Sequence, residues 1–139
     1  MAFWLVKTEP SAFSYDDLEG RAREPWDGVR NPAATGHLRE MRPGDLALVY
    51  HTGGERRAVG IAEVVSLPYP DPTADDPRWV AVDVRPVRRL PRPVSLAEMR
   101  ADPAFEGWVL LRQGRLSVVP VPPQLWGHIL QLGGAGEAV

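Results

Sequence analysis

The chain has 139 residues, 44% hydrophobic and 24% charged, which suits one soluble domain with its own core. It has no cysteine, which excludes disulfide frameworks and cysteine-ligated zinc. A net charge of −2 counts against a large nucleic-acid-coating surface and leaves room for a local basic site. No apolar run approaches the roughly 18 residues of a membrane span. Met1 to Pro10 lacks the basic and apolar regions of a signal peptide. A cytoplasmic protein without membrane contact is expected. Of 16 basic residues only Lys7 is lysine. That is either chance or a place that needs a compact ammonium.

Phe3 to Thr8 reads as a first strand, with Trp4, Val6 and Thr8 on one face. Ser14 and Asp17 form the pattern of a capping box around a short helical turn. Asn31-Pro32 reads as N-cap and first residue of a helix running to about Met41, with Ala34, Leu38 and Met41 inward. Pro43-Gly44 signals a type II turn, and Leu46 to His51 a strand. Thr52 to Arg57 is a hairpin loop, from which Val59 to Leu67 returns as a strand. Trp79 to Val87 alternates clearly through Val80, Val82 and Val84. Ser95 and Glu98 match a second capping box. Trp108 to Arg112 and Arg115 to Val121 read as a last strand pair around Gln113-Gly114. Pro122-Pro123 opens a final helix carrying Trp126, Ile129 and Leu130 and stopped at Gly133. Residues 1–132 make one domain, and 133–139 read as a disordered tail. This is the α+β class: a mixed, mainly antiparallel β-barrel with peripheral short helices. Nothing suggests parallel βαβ units. No phosphate loop or Gly-x-Gly-x-x-Gly is present, so no nucleotide cofactor is expected.

Trp26-Asp27-Gly28-Val29-Arg30-Asn31 places an aromatic, a tight turn and an arginine before a helix start. Such an arrangement can hold an anion beside a stacking face. A core tryptophan over a structural Asp-Gly turn competes on equal terms. Lys7-Thr8-Glu9-Pro10 puts an ammonium, a hydroxyl and a carboxylate at a strand end, where they could read the edge of a base; a surface ion pair is the plainer reading. Tyr50 and His51 point to opposite faces. His51 is a candidate general base, and a rim histidine bonded to backbone is the preferred reading. Glu63 on an apolar strand face should pair with an arginine. Arg115 and Ser117 could bind phosphate and add a hydrogen bond, or Arg115 could be an edge-strand surface residue. No His, Asp and Glu spacing suggests a metal site.

Eight segments in order carry a resemblance over Trp4 to about Leu132. They are Trp4 to Pro10, Trp26 to Asn31, Leu38 to Met41, Gly44-Asp45, Tyr50 to Thr52, Gly60 to Ala62, Tyr69-Pro70-Asp71 and Arg115 to Val118. On these the chain resembles the EVE domain family. The resemblance implies a PUA-like fold related to the YTH and ASCH domains. It also implies a reader of modified bases, 5-methylcytosine and its oxidised forms among them, that performs no chemistry. Such a reader takes a base swung out of the stack into an aromatic-walled pocket. The residues implied for that pocket are Trp4, Lys7, Thr8, Trp26, Val29, Arg30, Asn31, Tyr50, His51, Tyr69, Arg115, Leu116 and Ser117. Nucleic acid carrying a modified base is the expected partner, with a nuclease or other effector protein acting on what is read. A monomer or weak dimer is expected. Many members read Asn-Tyr-Gln-Ala-Arg where this chain has Asn31-Pro32-Ala33-Ala34-Thr35, so an aromatic and an arginine are absent near the helix start. An ASCH-like hydrolase using Lys7, Glu9 or His51, and a protein-interaction module, are the alternatives.

Overall fold

Phe3 to Thr8 forms strand β1 (Phe3–Thr8) in the computed structural model, which describes residues 1–135. Trp4, Leu5 and Val6 are all buried, so both faces of the strand are covered. The Ser14 hydroxyl accepts from Asp17 N at 3.1 Å and Asp17 Oδ2 from Ser14 N at 2.9 Å, closing the capping box of α1 (Tyr15–Glu19). After the short strand β2 (Glu24–Trp26), Asn31 Oδ1 accepts from Ala34 N at 3.0 Å and starts α2 (Pro32–Glu40). Ala34, Leu38 and Met41 are fully buried, as their spacing predicts. An Asn31→Ala change is expected to lower stability by about 1 kcal/mol, read by chemical melts; an unchanged midpoint would mean that the cap is redundant.

At Pro43-Gly44 the chain makes the expected type II turn, with Asp45 N donating to Arg42 O at 3.0 Å and Gly44 at φ +97°. It leads into β3 (Leu46–His51) and β4 (Arg57–Val64), an antiparallel pair. The short β5 (Tyr69–Pro70) follows, then β6 (Val80–Ser95) and α3 (Leu96–Ala101). A 3-10 turn at Pro103–Phe105 precedes α4 (Val109–Arg112), β7 (Val118–Pro120) and α5 (Pro123–Leu132). Among the described residues the strands run in the order β2-β6-β4-β3-β1-β7, with β5 on β6, in one curled sheet flanked by short helices.

The mainly antiparallel α+β architecture is as expected, and the differences lie in individual elements. β1 and β3 pair in parallel, joined by a crossover through α1, β2 and α2. β4 ends at Val64, and Leu67 is exposed. β6 runs sixteen residues and passes three prolines. Between the pairs Gly60–Arg89 and Ala58–Val94, four β6 residues face Val59 alone, so Pro91 and Pro93 sit where no regular ladder is interrupted. Trp108 to Arg112 is not a strand. Leu111 N bonds Trp108 O and Gln113 N bonds Val109 O, a helical turn that buries Leu110. A short apolar run has no periodicity to separate the two states. Arg115 to Ser117 is consequently loop, and the strand begins at Val118. Gly133 to Ala135 pack back on the domain: Ala135 is buried and its N–H bonds Leu130 O at 2.8 Å. The rest of the expected tail lies outside the described residues.

Candidate nucleic-acid interface

Trp26 ends β2 opposite Val82 of β6, and the chain turns at once. Gly28 takes φ +79°, a left-handed conformation that a side chain would strain. The turn delivers Val29, Arg30 and Asn31 to the start of α2. It is held from outside by Asp71, whose side chain has no exposed surface. Asp71 Oδ2 accepts from Gly28 N at 2.8 Å and Arg30 Nη1 at 3.0 Å. Its Oδ1 accepts from Thr73 N at 2.7 Å and the Thr73 hydroxyl at 2.6 Å. Burial alone would push the Asp71 carboxyl up; the bonds from Thr73, Gly28 and Arg30 outweigh it and hold the carboxyl at about 2.

This turn forms one wall of a cleft of about 390 Å³. Lys7, Thr8 and Ser117, from the end of β1 and the strand-entry loop of β7, line another side. The junction is made by Lys7 N, which donates to Ser117 O at 2.9 Å. Trp26 is 7% exposed, so most of the indole is core, packed edge-on to Phe13 at 6.2 Å and 83°. The rest of the ring lines the cleft. The Thr8 hydroxyl donates to Phe13 O at 2.7 Å, which leaves its lone pairs to accept from a ligand. Asn31 uses its amide oxygen as the helix cap, which leaves its NH₂ to donate. Burial, then the charge of Asp71, pushes the Asp27 carboxyl up.

Seven of the thirteen expected site residues line this cleft: Lys7, Thr8, Trp26, Val29, Arg30, Asn31 and Ser117. The other six sit elsewhere. Trp4 is buried and its indole N–H donates to Asp45 Oδ2 at 3.1 Å, a bond that seats β1. His51 is buried with both ring nitrogens engaged: Nε2 accepts from Tyr15 N at 3.0 Å, so Nδ1 carries the proton toward Glu55 at 2.9 Å. Tyr69 gives its hydroxyl to Asp83, at the β5–β6 pair. Leu116 is core. Arg115 is exposed on the loop before β7. Tyr50 lines a neighbouring hollow. Arg30 itself is bound to Asp71 and Thr73, so it holds the turn. Glu63 has the arginine partner expected of it, Arg85.

Sequence reading overlooked Phe13, Glu24 and Asp27 as lining residues. Asp27 lay inside the informative segment, and its turn geometry drew attention away from its carboxylate. Phe13 carried no signal, since tertiary folding alone brings it to Trp26, and Glu24 lay two residues before Trp26 on a strand too short to be recognised. Asp71 was also overlooked, although its segment Tyr69-Pro70-Asp71 stood out.

The sequence profile of the EVE domain matches residues 2–132. Human thymocyte nuclear protein 1 is 30% identical over 93% of this chain and 72% of its own length. A solved structure of that human protein in complex with 5-methylcytosine containing DNA superposes with a TM-score of 0.88 at 31% identity, covering 96% of this chain and 98% of that one. Protein Atu2648 from Agrobacterium tumefaciens superposes with a TM-score of 0.94 at 38% identity, covering 99% of this chain and 96% of that one. An ASCH protein from Zymomonas mobilis shares the fold alone, with a TM-score of 0.60 at 10% identity over 94% of this chain and 95% of that one. The fold is PUA-like, as the resemblance implied, and the chain belongs to the EVE domain family.

Proposed function

We propose that this domain reads a modified base, 5-methylcytosine-like, on a nucleic-acid strand and performs no chemistry on it. The cleft between Trp26 and Lys7 carries the proposal, because it combines an aromatic wall with donors and acceptors at its rim. Support comes from the human relative bound to 5-methylcytosine containing DNA. A cytosine edge presents an amine donor beside ring-nitrogen and carbonyl acceptors. The Thr8 hydroxyl and the Asp27 carboxylate can accept from the amine. The Asn31 amide and the Lys7 ammonium can donate to the acceptors. Such a base must leave its stack to enter. A reader of this kind acts through a partner nuclease or effector.

The hydrolase alternative rests on Lys7, Glu9 or His51, and the three do not form one site. His51 is committed to Tyr15 and Glu55. Glu9 Oε1 accepts from Ser11 N and the Ser11 hydroxyl. Lys7 Nζ donates to Gly114 O at 2.9 Å.

The test is titration of short DNA and RNA strands with and without one 5-methylcytosine. Trp26→Ala is expected to weaken binding of the modified strand by roughly 1–3 kcal/mol. Trp26→Leu, which keeps apolar volume beside Phe13, should weaken binding while preserving the fold. A buried methyl contributes about 0.8 kcal/mol, so preference over plain cytosine should be about fourfold. Equal affinity for modified and plain strands, or full binding by folded Trp26→Leu, would reject the reading.

A further inference from the structure

Beside the base cleft lies a second hollow of about 280 Å³, and Lys7 lines both. We propose that this hollow, bounded by Lys7, Tyr50, Thr52, Arg56, Arg100 and Gly114, binds the backbone phosphate next to the base held in the cleft. The proposal rests on the reader function above and adds a second contact to it.

Charge distribution is the first argument. Eight arginines of this acidic protein are ion-paired: Arg21, Arg23, Arg30, Arg57, Arg78, Arg85, Arg89 and Arg92. Eight basic residues have no carboxylate within ion-pair distance among the described residues; three of them, Lys7, Arg56 and Arg100, line this one hollow, and Arg39, Arg42, Arg88, Arg112 and Arg115 do not. Arg57, the next residue, pairs with Glu55 and does not line it. Glu9 lies at the rim beside Gly53, with one carboxylate oxygen bound to Ser11. An anion in the hollow would face all three of these cationic side chains.

Backbone geometry is the second. Among the described residues Arg56 is the non-glycine residue with a positive φ, 46°. Conformations of this kind persist where the surroundings impose them. Here Leu96 N donates to Arg56 O at 2.9 Å, and Thr52 N to Thr8 O at 3.0 Å. The turn is thereby fixed to α3 and to β1. Arg56 Nε donates to Gly53 O at 3.3 Å, which leaves its two terminal nitrogens for an anion.

Lys7 connects the two hollows. Its Nζ lies 5.8 Å from the Tyr50 ring centroid and donates to Gly114 O. Burial lowers its pKa, a shift that a phosphate would oppose. Burial pushes the Tyr50 phenol up, and the charges of Arg56 and Arg100, which line the same hollow, pull it back.

The experiment uses short DNA strands carrying one 5-methylcytosine or plain cytosine at several salt concentrations. Wild type is compared with Arg56→Gln/Arg100→Gln and with Arg56→Lys/Arg100→Lys. For single strands the slope of log affinity against log salt falls by about 0.7 for each phosphate no longer neutralised. The glutamine pair is expected to lose about that much slope, and the lysine pair to recover most of it. Arg100→Gln alone, on the surface of α3, should give part of the change if the double variant folds poorly. A folded glutamine variant with the wild-type slope, in a background that still prefers the methylated strand, overturns the phosphate site alone. Wild-type binding without methyl preference, with a slope that still drops in the variant, overturns the base-reader function and keeps the phosphate site. Binding to neither strand overturns both.

Discussion

Replacing Gly60 with alanine is expected to destabilise the fold by about 3 kcal/mol, the upper part of the usual range for overpacking. An added Cβ would lie 2.5 Å from Tyr15 Cε1 and Cζ, closer than any relaxed contact. The ring cannot move aside, because Tyr15 is held at both ends. Its hydroxyl donates to Ile61 O at 2.7 Å, and its backbone N–H donates to His51 Nε2 at 3.0 Å. It is fully buried, and burial together with the Glu19 charge pushes its phenol up to about 12. Urea melts of Gly60→Ala, Tyr15→Leu and the double variant would measure the effect. Gly60→Ala should cost much less once the ring is gone, which gives a large coupling energy. Additive costs would mean that the strain arises in β4 itself.

The same packing explains which parts of the molecule were legible in the sequence. Capping residues act within one helical turn, so Ser14, Asn31 and Ser95 marked helix starts that the structure reproduces. The Gly44 turn was legible for the same reason. Elements set by distant partners were not. β2 exists because Glu24 to Trp26 pair with Val82 to Val84, and three residues with a central proline carry no strand pattern. Trp108 donates its indole N–H to Pro120 O at 3.0 Å, and that anchor accompanies a helical turn where β-branched and aromatic residues suggested a strand. The cleft divides similarly. Residues at the end of β1 and in the turn after Trp26 could be placed together because strand ends and turns present side chains. His51 and Trp4 belong to recognisable segments, yet their polar atoms serve Tyr15 and Asp45. A recognisable motif does not distinguish a residue that touches the ligand from one that seats its neighbour.

Asp71 is such a seating residue, and its removal should affect stability and binding together. Asp71→Ala leaves Gly28 N–H, Thr73 N–H and Arg30 without their acceptor. Gly28, Thr73 and Arg30 are exposed and can be rehydrated, so the expected cost is roughly 2 kcal/mol, within the range for lost hydrogen bonds to a charged group. Acid melts give an independent reading. The folded carboxyl is held at about 2, below its ordinary value of 3.8. A depressed carboxyl stabilises the fold at pH above its unfolded pKa and loses that contribution as pH falls through the folded value. At about 1.4 kcal/mol per unit, roughly 2 kcal/mol should disappear between about pH 4 and pH 2. Asp71→Asn should lack this part of the acid limb; an identical limb would show that Asp71 is not depressed. Binding follows from the same contacts, since Gly28 and Arg30 would no longer be fixed before the ligand arrives. Ordering one residue costs about 1–2 kcal/mol, so affinity for the modified strand should fall on the order of tenfold. Because Arg30 is already paired with Asp71, Arg30→Ala should weaken binding with little change in salt slope. A slope reduced by about 0.7 in Arg30→Ala would instead make Arg30 a direct phosphate ligand.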